Sequence, residues 1–278
     1  MPNVITALGS ARFFSELDAA LQGVSPFDQS CIFLYPAGQL PDLVHDNLQV
    51  VSELGAMQRY LSGTYLLDPV YTACTHGRSA GWYRMAELAP DAFFEGEYFN
   101  SPDVHPCISL ASGSLAEEIV FLSHLPDGTY AAYSLMRCNG SAGFCERELL
   151  ALRCCQPVME ALCRQHYAGM GAGGGRVLPT PAIADQLTSA LRGFAADLLT
   201  AREQEIVGLI LRGHSSVSIA LNLSIAEGTV KNHRKHLYCK LGVGSQSELF
   251  HLFVSHLLGA QPAGHVQAGL SHVGAAIG

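Results

Sequence analysis

Lys231, Asn232, Arg234 and Lys235 stand within five positions of one another, and Thr229 lies just upstream. On a helix, offsets of three and four residues gather Lys231, Arg234 and Lys235 onto one side. Lysine and arginine bring positive charge to phosphates, and arginine can also grip a guanine edge. An asparagine amide matches the donor and acceptor that adenine shows in the major groove. These residue types at this spacing therefore suit double-stranded DNA. The competing reading is an ordinary solvated helix face.

A recognition surface of this kind needs a rigid support, and the preceding residues supply one. Thr200 followed by Glu203 forms a capping box that opens a helix. Ile206, Leu209 and Ile210 give that helix an apolar face, and Gly213 stops it. Ser215 caps a second, short helix carrying Ile219 and Ala220, and Asn222-Leu223-Ser224-Ile225 makes the turn after it. A third helix is predicted over about 227–241, with Val230, His233, Leu237 and Leu241 inward and the cationic set outward. A fourth, from Ser247 to Leu258, carries Leu249, Leu252, Phe253 and Leu257.

Leu199-Thr200-x-Arg202-Glu203-x-Glu205, Gly213, Ile219-Ala220-x-x-Leu223, Thr229-Val230-Lys231-x-His233 and Lys240-Leu241-Gly242-Val243 closely resemble the LuxR/GerE-type helix-turn-helix family over about 60 residues. The resemblance implies a four-helix DNA-binding domain that dimerises through its last helix, with Lys231, Asn232 and Lys235 facing DNA. Leu249, Leu252 and Phe253 would then form a dimer contact, or else close the domain's own core. The sequence departs from the family at Ala226, where a Ser or Thr cap is usual, and at Gly228 in the first turn. Each costs about 1 kcal/mol of local helix stability. Val217, Gly244 and Gln246 stand where basic residues are common, so phosphate contacts are few.

The net charge of −8 divides unevenly. Residues 199–257 carry six Lys/Arg against four acids, leaving −10 on the remainder. That asymmetry fits two units with different partners. The boundary is read at the glycine-dense stretch after Ala168, giving a sensing domain at 1–167, a Gly/Pro-rich linker at 168–184, a DNA-binding domain at 185–258 and a flexible tail at 259–278. No apolar run reaches the roughly 18 residues of a membrane span. Met1-Pro2-Asn3-Val4 lacks the features of a secretory signal, and the nine cysteines form no CxxC framework. The expectation is a cytoplasmic protein with reduced thiols and no membrane partner.

The first 167 residues read as an α+β domain, an antiparallel sheet flanked by helices. Phe13 to Leu21 has helical spacing, Cys31 to Tyr35 is a short apolar strand, and Pro126-Asp127-Gly128 turns a hairpin between 118–123 and 130–137. A long helix, over about 145–166, closes the domain. Residues 1–170 hold no lysine, which excludes a phosphorylation-driven receiver. Tyr60, Asp68-Pro69, Trp82-Tyr83 and Gly113 loosely resemble the autoinducer-binding and GAF/PAS-like sensing domains that precede this kind of helix-turn-helix. The resemblance implies a small-molecule effector held by Tyr60, Asp68, Trp82 and Tyr83. Acyl-homoserine lactone is one alternative, although Gly55, Ala56 and Met57 occupy the region where such receptors carry a further tryptophan. In the other reading, Asp68 caps a helix and Trp82 and Tyr83 are strand core.

Asp103-x-His105-x-Cys107 has no fourth ligand at a recognisable spacing and reads as a loop between prolines rather than a metal site. Cys154, Cys155 and Cys163 read as core thiols of the long helix, with a redox switch as the alternative. No nucleophile elbow, phosphate loop or HExxH is found, so the first domain is expected to be a sensor without catalysis or a cofactor, with an enzymatic domain the remaining alternative. The expectation is a ligand-responsive, homodimeric regulator of transcription.

Overall fold

The computed structural model describes residues 2–37, 39–48, 54–96, 99, 115–169 and 184–259. Asp103, His105, Cys107, Gly113, almost all of the expected linker and nearly the whole tail lie outside them.

Five antiparallel strands form one sheet in the order β2-β1-β5-β4-β3. They are β1 (Gln29–Tyr35), β2 (Asp42–Asp46), β3 (Gly81–Arg84), β4 (Leu115–His124) and β5 (Tyr130–Cys138). The β4–β5 hairpin turns at the Pro126-Asp127-Gly128 signal, where Gly128 takes φ +85°. Gly128 is placed where side chains rarely go, which is the use of glycine in such a turn.

Strand alternation sorts the sheet's side chains onto two faces. One face carries Ile32, Phe121 and Tyr133. It is covered by α1 (Pro2–Thr6), α2 (Phe13–Gln22) and the long α6 (Glu146–Gly169), through Val4, Phe13, Leu17, Leu152 and Met159. The other carries Cys31, Phe33, Tyr35, Val120, Leu122 and Met136. It packs against α3 (Leu54–Ser62), a 3-10 turn at Thr64–Leu67, α4 (Pro69–Thr75) and α5 (Met85–Leu88). The amino-terminal region is thus a helix–sheet–helix sandwich.

α6 runs through Pro157, and only some of its thiols are core. Cys163 is buried, Cys155 half-buried and Cys154 exposed. The expectation of three core thiols is corrected, because consecutive residues on a helix differ by about 100° in direction.

The carboxy-terminal module contains α7 (Ala184–Gly193), α8 (Ala201–Leu211), α9 (Ser216–Leu223), α10 (Glu227–Leu241) and α11 (Gln246–Leu257). Its core gathers Ile206, Val207, Ile210, Ile219, Val230, Leu237, Leu249 and Phe253, all fully buried. This core is continuous with the second face of the sheet, so one apolar cluster spans both parts of the chain.

Candidate nucleic-acid interface and sensor site

Local capping builds the helical module. Thr200 and Glu203 make the reciprocal box that opens α8, and Ser215 accepts the Ser218 N–H to open α9. α9 ends at Ser224 in a left-handed conformation, φ 52°. α10 then starts at Ala226, which offers no side-chain cap. Val230 and Leu237 point inward and fix the helix's rotation. Thr229, Lys231, Asn232 and Lys235 are consequently exposed together.

The cations have different employments. Lys231 pairs with Glu227 at 2.7 Å but remains 65% exposed, as a mobile surface pair would. Arg234 is turned inward. Its guanidinium donates to Ser216 Oγ at 3.1 Å, Gln246 Oε1 at 3.2 Å and Tyr238 Oη at 3.3 Å, joining α9, α10 and α11. Arg202 donates to Glu205 at 2.6 Å and to the Leu223 carbonyl at 3.0 Å. Lys240 donates to Glu203 at 2.6 Å. Burial works to raise the Glu203 pKa, yet Lys240 and the Thr200 donors outweigh it and hold the carboxyl at about 2. Three of the module's seven cations therefore bind its own helices together. Those turned outward at the recognition surface are Lys231 and Lys235.

Leu249 and Phe253 are wholly buried within this chain, with Phe253 edge-on to Phe194 at 5.2 Å. Of the two readings of this helix, closure of the module's own core describes Leu249 and Phe253, and Leu252 is half-buried.

In the amino-terminal region, Tyr60 and Asp68 are brought together and Trp82 is not. Tyr60 Oη donates to Asp68 Oδ2 at 2.7 Å, and Tyr35 Oη meets Tyr60 Oη at 2.8 Å. Asp68 Oδ1 accepts the Val70 N–H at 2.7 Å, so this residue also caps α4. Trp82 lies in register with Phe121, and Phe121 with Tyr133, on the opposite face of the sheet. Its indole N–H is buried there without a hydrogen-bond partner among the described residues. Tyr83 shares the face of Asp68 but sits on the edge strand, donating to the Ser79 carbonyl at 2.9 Å beneath Arg78.

Sequence reasoning missed Tyr35, Tyr65, Tyr71 and Glu118. Tyr71 packs edge-on against Tyr35 at 5.6 Å and Tyr65 at 4.9 Å, and its buried hydroxyl has no hydrogen-bond partner among the described residues. Glu118 is buried on the same sheet face, two residues from Val120. Burial first, and the nearby Asp68 charge second, push its pKa to about 8 despite a hydrogen bond with Ser134. Burial likewise raises Asp68 to about 6 against the bonds from Tyr60, Val70 and Tyr71. Two adjacent glutamates in one strand, Glu117 and Glu118, were the available signal, since neighbours on a strand face opposite sides of the sheet. The result is a tyrosine-walled cluster with two weakly acidic carboxyls, able to accept or donate hydrogen bonds.

Comparison with known proteins adds identity to this geometry. The sequence profile of the luxR family of bacterial regulatory proteins, GerE, matches residues 197–253. An HTH-type transcriptional regulator from the exeN 3′ region of Aeromonas salmonicida is 32% identical over 203 residues, covering 72% of this chain and 99% of that protein. The transcriptional regulatory protein MctR of Rhizobium johnstonii is 36% identical over 85 residues, 31% of this chain and 39% of MctR. In fold, the first part is similar to the VqsR LBD domain from Pseudomonas aeruginosa, with TM-score 0.50, 20% identity, and coverage of 60% of this chain and 94% of that one. The chain belongs to the LuxR family of bacterial regulatory proteins and is a transcriptional regulator.

Proposed function

We propose that the protein is an effector-responsive regulator that reads operator DNA with α10 and a small organic molecule with the cluster around Asp68. The observation that carries the DNA half is the joint exposure of Thr229, Lys231, Asn232 and Lys235 on a helix held by α8 and α9. A helix so presented fits the major groove. Asn232 is assigned to adenine readout, Lys231 and Lys235 to phosphates, and Arg234 to positioning α10 from within. The sensor half is supported by the Tyr60–Asp68 bond, the unsatisfied Tyr71 hydroxyl and the aromatic walls, which together suit a ligand with both apolar and hydrogen-bonding parts. Trp82 is left out of this site by its position on the other sheet face.

The working form is a homodimer in the cytoplasm, its two units joined by the glycine-rich segment after Gly169. Two recognition helices on successive half-sites compensate for the few cations each module offers. Binding-site selection with the full chain and with Asn232→Ala tests the reading. The variant is expected to lose preference at an adenine while keeping most of its overall affinity. An unchanged motif with unchanged affinity would falsify the assignment.

A further inference from the structure

We propose that residues 90–96 of the sensing region are an autoinhibitory clasp on the DNA-binding module, which must release before α9 and α10 can seat on DNA. The inference rests on the recognition-helix reading given above. The contact joins segments about 120 positions apart. Asp91 Oδ1 accepts the Ser215 N–H at 3.0 Å, and Asp91 Oδ2 accepts the Ser215 hydroxyl at 2.5 Å. The Ala92 N–H donates to the Gly213 carbonyl at 3.0 Å. Phe93 is buried beside it, meeting Ile210, Leu211 and Phe250 around one small cleft. Gly213, at φ +92°, lies so close that a Cβ there would come within 2.7 Å of Phe93 Cα. This is backbone packed on backbone.

The place of the clasp gives it consequence. Ser215 is the cap of α9, and the next residue, Ser216, takes a hydrogen bond from Arg234 of the recognition helix. In helix-turn-helix docking the helix before the recognition helix crosses the sugar-phosphate backbone, and helix N-termini donate to phosphate oxygens. Asp91 sets a carboxylate on those donors. A phosphate brought to the same end of α9 meets an occupied site and a like charge.

A second contact ties the clasped state to the sensor. Gly63 lies between Tyr60 and Asp68, and a Cβ built on it would stand 3.5 Å from Leu257 Cβ at the end of α11. The segment that forms the Tyr60–Asp68 pair therefore borders the module as well. A ligand that favours a different arrangement of 60–68 loosens that contact, which biases the whole module toward release.

The test uses the full chain and a duplex obtained by in vitro selection with it. Asp91→Ala and Asp91→Asn are expected to bind the duplex about threefold to tenfold more tightly than the unaltered protein, without effector. That is the range of a solvent-exposed charged contact, which screening keeps well below the worth of a buried one. Equal or weaker binding by folded variants overturns the clasp. Lys235→Ala is expected to weaken binding in both backgrounds. If it does not, the recognition-helix reading fails and the clasp falls with it. Hydrogen exchange of the unaltered protein decides the matter independently of any variant. The Ala92 amide should lose protection when DNA is added, and continued protection in the complex overturns the proposal.

Discussion

Asp68 uses its two oxygens for two tasks: Oδ2 takes the Tyr60 hydroxyl at 2.7 Å, and Oδ1 takes the Val70 amide that opens α4. The cap of α4 and the acid that takes the Tyr60 hydroxyl are one residue, so capping does not remove Asp68 from the tyrosine cluster. Asp68→Ala is therefore expected to destabilise the protein by about 2–3 kcal/mol, combining a lost cap with a lost buried hydrogen bond. Asp68→Asn still accepts from Val70 and should retain most of the stability while altering effector response. Urea unfolding midpoints of the two variants check this, and equal losses would remove the capping role.

Glu118 makes stability fall as pH rises. The folded protein keeps the proton up to about pH 8, whereas an unfolded glutamate releases it near 4.5. Between those values the native state binds more protons than the unfolded chain, so raising pH favours unfolding. Glu118→Gln is expected to flatten the decline in melting temperature from pH 5 to pH 8 and to melt higher than the unaltered protein at pH 8. A parallel decline in both proteins would assign the pH dependence elsewhere.

How far the sequence revealed this molecule depends on the range of the interactions. The Thr200–Glu203 box, the Ser215 cap and the hairpin at Asp127-Gly128 are local chemistry and were readable as such. The exposed set on α10 followed from helical spacing and the inward Val230 and Leu237. The pairing of Trp82 with Tyr83 as ligand residues failed on a rule that was available: adjacent strand residues face opposite sides of a sheet. Arg234 was read as a DNA contact because its partners Ser216 and Gln246 come from other helices. The Asp91–Ser215 contact had no local signature at all, since an acid in a loop gives no hint of a cap on a helix more than a hundred residues away.

The start of α10 should be easily strengthened. Ala226 provides no cap bond, and a Cβ on Gly228 would meet nothing within 4 Å. Gly228→Ala is expected to add about 1 kcal/mol through helix propensity, and Ala226→Ser about 1 kcal/mol through capping. Thermal melts of each variant and of the pair should show nearly additive gains. No gain from Gly228→Ala would show that the first turn of α10 is held by something other than its own helical preference.

Acid should attack the module through Glu203. Its carboxyl is held at about 2 in the folded state, below its unfolded value near 4.5. The stabilisation from Lys240 and Thr200 is thus complete above about pH 4.5 and disappears as pH falls toward 2. Lys240→Met is expected to lower stability at pH 7 and to weaken the pH dependence between 5 and 2. If its acid unfolding curve keeps the original steepness, the Glu203–Lys240 pair is not the acid-sensitive link.

The salt dependence of DNA binding should be shallow, and the reason lies in where the module spends its cations. Each neutralised phosphate contributes about −0.9 to the slope of log affinity against log salt. Arg202, Arg234 and Lys240 are bound to Leu223, Ser216 and Glu203 within the module, so releasing them for phosphates would break helix–helix contacts. Lys231 pairs with Glu227 in an exposed contact, which DNA can displace, and Lys235 is exposed. Two cations per module give a slope near −2, and two modules on a palindrome give about −4. Lys235→Ala should make the two-module slope shallower by about 2, whereas Asn232→Ala should leave it unchanged. Titrations from 50 to 300 mM salt measure both. A slope of −6 or steeper for the unaltered protein would mean that the inward cations leave their partners on DNA, and the division of labour among these cations would have to be abandoned.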